Sequence, residues 1–313
     1  MIVFCCNFAF QESIIEIRKM KNIFKGLGIA LVTPFHDNGE VDYEALEKLI
    51  TYQLSGGVDF LCVLGSTAET PCLTNAEKIS IKDFTVEKVK GSVPILLGMG
   101  GNCTRALIDE IHDFDFKGVD GILSVCPYYN KPSQEGIFRH FKAVSEVSNL
   151  PVVIYNVPGR TGDNITSETT LRIAQELDNV VAIKEASGKI DQIEEILKNK
   201  REDFDVISGD DSITYELLSI GAQGVISVVG NALPARFGKM VHEAMAGHFE
   251  KALPIHHQLA EIYKLLSVDG NPSGIKSLLS DMELCKNILR LPLVPATKGT
   301  KEALMKQYQQ ISI

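Results

Sequence analysis

Lys184 closes the apolar run Val180-Val181-Ala182-Ile183-Lys184, and among the lysines of this chain it alone ends a strand-like run of that kind. A primary amine attacks a keto carbon only as the free base, and desolvation at a buried strand end favours that neutral form. Strand alternation puts Ala182 and Lys184 on one face and Val181 and Ile183 on the other, so small Ala182 leaves room beside the amine. The competing reading is a lysine paired with Glu185 or another carboxylate.

Tyr155 ends a second such run, Val152-Val153-Ile154-Tyr155. A tyrosine there packs with its hydroxyl satisfied, or, beside a catalytic amine, shuttles a proton. The chain continues into Asn156-Val157-Pro158-Gly159-Arg160-Thr161-Gly162, a stiff loop in which Arg160 could present its planar fork to a carboxylate. After another run come Gly65-Ser66-Thr67-Ala68-Glu69-Thr70. The two hydroxyls suit either a carboxylate or a plain helix N-cap. Tyr128-Tyr129 between Pro127 and Pro132 make an aromatic platform that packs against something, another subunit included. Gly209-Asp210-Asp211 reads as a turn with a helix cap before it reads as a metal or acid–base pair. Each signal is weak alone. All of them fall at the ends of apolar runs.

Those runs are Gly28–Val32, Phe60–Leu64, Ile95–Met99, Gly121–Val125, Val152–Tyr155, Val181–Lys184, Val206–Ser208 and Gly224–Val228. They are short, rich in Val, Ile and Leu, and continuous rather than alternating, as strands buried on both faces are. Amphipathic helices are expected between them over Tyr43–Ser55, Asn75–Val89, Gln134–Ser148 and Ser167–Leu177, the last capped by Thr166 or Ser167. Eight strand–helix units predict an α/β fold, a (β/α)8 TIM barrel whose functional groups collect at strand C-termini. A doubly wound open sheet shares the alternation, but G-x-G-x-x-G after the first strand is missing. Helices over Phe249–Ser267 and Pro272–Leu289 predict a C-terminal helical appendage, so the domains are 20–247 for the barrel and 248–313 for the appendage.

Composition narrows the partners. A formal charge of −9 over 313 residues argues against nucleic acid and anionic membranes, which call for basic patches. Seven cysteines, an odd number with no C-x-x-C pair, predict reduced thiols and a cytoplasmic location. The seven histidines show no H-x-x-x-H spacing, and no metal or cofactor is expected. Residues 1–19 are a poor signal peptide, with no basic start and with Glu12, Glu16 and Arg18 where a cleavage site belongs. They read as an upstream extension, with Met20 as the native start.

In this order the motifs Gly65-Ser66-Thr67-Ala68-Glu69, Pro127 to Pro132, Tyr155 to Gly162, Ile183-Lys184-Glu185-Ala186-Ser187-Gly188 and Ser208 to Asp211 resemble the dihydrodipicolinate synthase family, from Met20 to the C-terminus. The resemblance implies condensation of pyruvate with aspartate semialdehyde in lysine and diaminopimelate biosynthesis. It implies Lys184 as the Schiff-base lysine, Tyr155 as the catalytic tyrosine, and Ser66 in a proton relay where the family has threonine. Tyr129 matches the relay tyrosine that enters a neighbouring subunit of a homotetramer. Thr67 and the Ile226 backbone match pyruvate-binding positions, Gly209 joins them as substrate-binding, and Arg160 matches the arginine receiving the aldehyde's carboxylate. Ala68 departs from the usual glycine, so its turn must tolerate a Cβ. Asn75, Lys78 and Ala106 stand where lysine-inhibited members carry histidines and a glutamate, while Asn102 and Tyr128 remain; weak or absent lysine feedback is expected. Sialic-acid lyases and keto-acid aldolases share the lysine and tyrosine, but Arg160 favours the synthase. A catalytically silent pyruvate-binding barrel is the alternative of another class.

Overall fold

In the computed structural model, which describes residues 22–311, the eight apolar runs become eight strands. They are β1 (Gly26–Ala30), β2 (Phe60–Val63), β3 (Ile95–Gly98), β4 (Gly121–Val125), β5 (Val152–Asn156), β6 (Val180–Glu185), β7 (Asp205–Ser208) and β8 (Gly224–Ser227). Their order, β1 through β8 in sequence, closes a parallel barrel, the (β/α)8 architecture that the alternation of elements predicts. Nearly every strand residue is buried, which is why the runs lack a polar alternation. The proposed extension over 1–19 and the choice between Met1 and Met20 lie outside the described residues. Among the described residues, no helix is long and apolar enough to cross a membrane.

The described residues divide into two compact units, 22–23 with 99–206 and 24–98 with 207–311. In the first, β5 lies between β4 and β6, with Val125 opposite Tyr155 and Tyr155 opposite Lys184. The β5–β6 register slips once, from Val152–Val180 to Val153–Ala182, leaving Val181 over. Pairing is regular from Ala182 onward, so Ala182 and Lys184 share a face. Helices Gln134–Val147 and Ser167–Glu176 begin at Ser133 and Thr166, whose hydroxyls accept the Gly136 and Thr169 amides at 3.3 Å each. Of the two caps considered for the second helix, Thr166 is the one used.

In the second unit, helices Tyr43–Ser55 and Asn75–Val89 have the expected bounds. Asp42 caps the first; Thr74 and Glu77 form a capping box on the second. Strand β1 starts two residues earlier than the expected Gly28–Val32 and stops at Ala30. The stop has a visible cause: the Asn231 side chain donates to Ala30 O at 2.8 Å and accepts Val32 N at 3.3 Å, taking over the strand's backbone groups. The early start requires two glycines: a Cβ on Gly224 would sit 2.4 Å from Gly26 O, and one on Gly26, at φ 83°, would meet the Asp59 carboxylate.

Three C-terminal helices follow, Phe249–Val268, Ser273–Asp281 and Lys298–Ile311. The helix expected over Pro272–Leu289 therefore ends eight residues early. Glu283 turns left-handed at φ 57°, and Leu284 N reaches back to Leu279 O at 2.9 Å, a Schellman-type stop made without glycine. The last helix was not anticipated. Its start signal is Thr297, which accepts Lys301 N through its carbonyl at 3.0 Å and Thr300 N through its hydroxyl at 3.4 Å.

Candidate active site

Lys184 and Tyr155 stand one residue before the ends of adjacent strands and face each other across the β5–β6 ladder. Both are buried, at 5% and 7% exposure, and Lys184 Nζ lies 4.2 Å from the Tyr155 ring centroid. The face of an aromatic ring attracts an ammonium without neutralising its charge. The pairing considered with Glu185 does not form. Being next along the strand, Glu185 points the other way, fully buried, where Asn156 Nδ2 donates to its two oxygens at 3.0 and 3.1 Å. Ser187 N donates to Oε1 at 2.9 Å and Gln192 Nε2 to Oε2 at 3.2 Å. Burial raises the Glu185 carboxyl above its ordinary range, and those donors oppose the rise. Among the described residues Lys184 joins no ion pair.

Arg160 stands on a single helical turn, Pro158–Thr161, rather than in an irregular loop. Proline opens the turn and Gly162 closes it at φ 74°, a conformation suited to glycine. Arg160 itself is exposed. Tyr129, at φ 74°, is 88% exposed, and Tyr128 is 40% exposed. Asn130 anchors this segment by donating to Asn102 O at 2.8 Å. Cys126, just before it, donates its amide to Tyr155 O at 3.0 Å, and burial pushes its thiol up to about 12. A thiol so held is a packing group.

In the other unit, Ser66–Ala68 form a tight helical turn after β2. The N-cap reading of the two hydroxyls fails: the cap position is Gly65, with no side-chain cap bond. Thr67 is 2% exposed, and its Oγ1 accepts from Asn271 Nδ2 at 2.8 Å. A hydroxyl that accepts from an amide keeps its own proton to donate. Ala68 keeps ordinary right-handed dihedrals and is buried, so its Cβ costs the turn nothing; the left-handed residue is Glu69. Ile226, 1% exposed, sits in the β8–β1 ladder opposite Gly28.

Gly209 begins the turn after β7. Asp210 behaves as the cap expected, its Oδ1 accepting Ser212 N at 2.9 Å. Asp211 does not: its Oδ2 reaches the start of the turn after β8, accepting Val228 N at 3.0 Å and Val229 N at 2.7 Å. Burial raises Asp211 to about 6. Among the described residues no three His, Cys, Asp or Glu side chains gather as a metal site. Asn156 and Asn271 are not singled out by the sequence, and Asp211 is read there only as part of a capped turn. Asn156 directly follows Tyr155 and was within reach of the strand pattern; Asn271 meets Thr67 across 204 positions, and no local pattern announces that.

Strand order and a buried strand-end lysine define the class, a (β/α)8-barrel enzyme. The chain belongs to the dihydrodipicolinate synthetase family, whose sequence profile matches residues 23–311. It is 56% identical over 289 residues to the 4-hydroxy-tetrahydrodipicolinate synthase of Parabacteroides distasonis, covering 92% of this chain and 97% of that one. The Phocaeicola vulgatus synthase is 55% identical over 289 residues, with coverage of 92% and 97%. The crystal structure of dihydrodipicolinate synthase from Thermotoga maritima superposes with a TM-score of 0.91 at 43% identity, covering 93% of this chain and 99% of that one. The Acinetobacter baumannii dihydrodipicolinate synthase, solved complexed with pyruvate, gives a TM-score of 0.89 at 34% identity, with coverage of 92% and 99%.

Proposed function

We propose that Lys184 and Tyr155 carry the chemistry by which this chain condenses pyruvate with L-aspartate 4-semialdehyde. The chain is an enzyme with 4-hydroxy-tetrahydrodipicolinate synthase activity, acting in lysine and diaminopimelate biosynthesis. The observation that carries the proposal is the buried Lys184 amine over the Tyr155 ring at 4.2 Å, with Glu185 turned away and engaged elsewhere.

In this reading Lys184 Nζ adds to the keto carbon of pyruvate, and loss of water gives an imine. The imine nitrogen draws electrons from the methyl group, a methyl proton leaves, and the resulting enamine carbon bonds to the aldehyde carbon of the second substrate. The aldehyde substrate's own amine then displaces Lys184 from the imine carbon, closing the ring and freeing the lysine. Tyr155 moves protons at the nitrogen and oxygen atoms that change charge. Ser66 and Tyr129 extend that proton path, Ser66 with the hydroxyl of the family's threonine but without its methyl. Thr67, the Ile226 backbone and Gly209 hold pyruvate, and Arg160 receives the semialdehyde's carboxylate as a planar, two-pronged donor.

A homotetramer belongs to the same reading. Its support is Tyr129, an aromatic side chain 88% exposed on a stiff Pro-bounded segment. So does a cytoplasmic setting, supported by Cys72, Cys103, Cys126 and Cys285, which are free thiols. Borohydride reduction in the presence of pyruvate, with peptide mass mapping, tests the lysine. The expected result is a pyruvyl adduct on Lys184; an adduct elsewhere, or none, overturns the assignment. Turnover of N-acetylneuraminate at a rate comparable to the condensation would overturn the substrate.

A further inference from the structure

The turn that carries Ser66 and Thr67 is bounded by two left-handed residues that are not glycine, Leu64 and Glu69, each at φ 57°. L side chains resist that conformation, so surrounding contacts must hold it, and such strain collects where geometry serves function. At the Glu69 end the holding contacts are explicit. Glu69 is 1% exposed, and each carboxylate oxygen has a donor: Lys276 Nζ to Oε1 at 2.5 Å and Arg290 N to Oε2 at 2.9 Å. Lys276 is fully buried and uses its remaining reach on Ile288 O, at 2.8 Å, and on the Phe35 ring, 4.2 Å from its centroid. Burial pulls the Lys276 ammonium below its ordinary range, and the Glu69 carboxylate opposes that pull.

A buried ion pair contributes little net stability against an apolar pair of the same volume. What it supplies is direction. Glu69 satisfies both oxygens with its backbone turned left-handed, directly after the tight helical segment in which Thr67 Oγ1 meets Asn271.

We infer that Glu69 and Lys276 are positioning residues for pyruvate, their buried contact holding the Ser66–Thr67 turn in the conformation that presents the Thr67 hydroxyl. The inference rests on the reading of Thr67 as a pyruvate-binding residue. Neither side chain touches substrate in this account; both act through the backbone between Gly65 and Thr70.

Steady-state kinetics on the full chain, with each substrate varied in turn, tests this with three variants: Thr67→Val, Glu69→Gln and Lys276→Met. Glu69→Gln keeps the side chain's shape, and it carries the test if Lys276→Met fails to fold. The expected result is a rise of at least fivefold in the pyruvate KM for the Glu69 and Lys276 variants, with the semialdehyde KM within twofold of the parent. A merely structural role lowers the fraction of folded enzyme, and so the apparent kcat, and leaves both KM values where they were. The inference is overturned if Thr67→Val raises the pyruvate KM tenfold while Glu69→Gln, and Lys276→Met where it folds, stay within twofold. If Thr67→Val itself leaves the pyruvate KM unchanged, the reading of Thr67 fails, and the inference falls with its premise.

Discussion

Tyr155 and Lys184 form one rung of the β5–β6 ladder, and Asn156 and Glu185 form the next, facing the opposite side. One step along two strands thus separates the pair proposed to react from a pair that supports it. The strand period of two is the cause.

For the reactive rung, Tyr155→Phe removes a hydroxyl and keeps the ring beneath Lys184. We expect kcat to fall by about 10²-fold or more, the scale of a lost general acid–base group. The borohydride-trapped adduct on Lys184 should still form on long incubation. An unchanged kcat would remove Tyr155 from the proton path.

For the supporting rung, Asn156→Ala takes from a buried carboxyl the one amide that donates to both its oxygens and strips Ile165 N of its acceptor, Asn156 Oδ1 at 3.3 Å. We expect a loss of about 2–3 kcal/mol in stability, measured by denaturant unfolding. Glu185→Gln, which removes the buried charge and keeps the shape, should cost less than Asn156→Ala. The reverse order would contradict this account.

Two buried groups tilt the pH profile of stability in opposite directions. Asp211, raised to about 6 by burial, holds a proton in the native state that the unfolded chain releases above about pH 4. Its contribution is full below that pH and is lost as pH rises through about 6. His140, 3% exposed and bonded to Thr104 Oγ1 at 2.9 Å, is pushed by burial down to about 4. Its contribution is full above the unfolded value of about 6.5 and is lost as pH falls through about 4. Each effect is at most about 3 kcal/mol. Unfolding measured from pH 4 to 7 should show Asp211→Asn flattening the loss on going up and His140→Gln flattening the loss on going down.

Lysine should inhibit weakly or not at all. Asn75 and Lys78 lie in the first turn of helix Asn75–Val89 and Ala106 in helix Thr104–Asp113, with no carboxylate among them and one added cation. Such a set opposes a cationic ligand. Half-maximal inhibition at micromolar or low-millimolar lysine would refute the expectation.

Tyr129 tests the assembly. If its hydroxyl serves a neighbouring subunit, Tyr129→Phe lowers kcat by up to about 10²-fold and leaves the parent's sedimentation coefficient in place. A monomeric parent enzyme with full activity would separate Tyr129 from catalysis.

The eight strands, the bounds of the early helices and the strand-end positions of Lys184 and Tyr155 were legible in the sequence, because burial on both faces and helical periodicity are written in neighbouring residues. The end of β1 was not, since Asn231 supplies its cap from about two hundred positions away. The same limit hid Asn271 from Thr67 and Lys276 from Glu69. It also left open whether Glu185 neutralises Lys184, a question the ladder decided by turning the two to opposite faces. Local patterns determine which elements form and which residues stand at their ends. Only the closed fold determines which polar groups meet, because a buried donor takes whatever acceptor the packing brings, regardless of its distance along the chain.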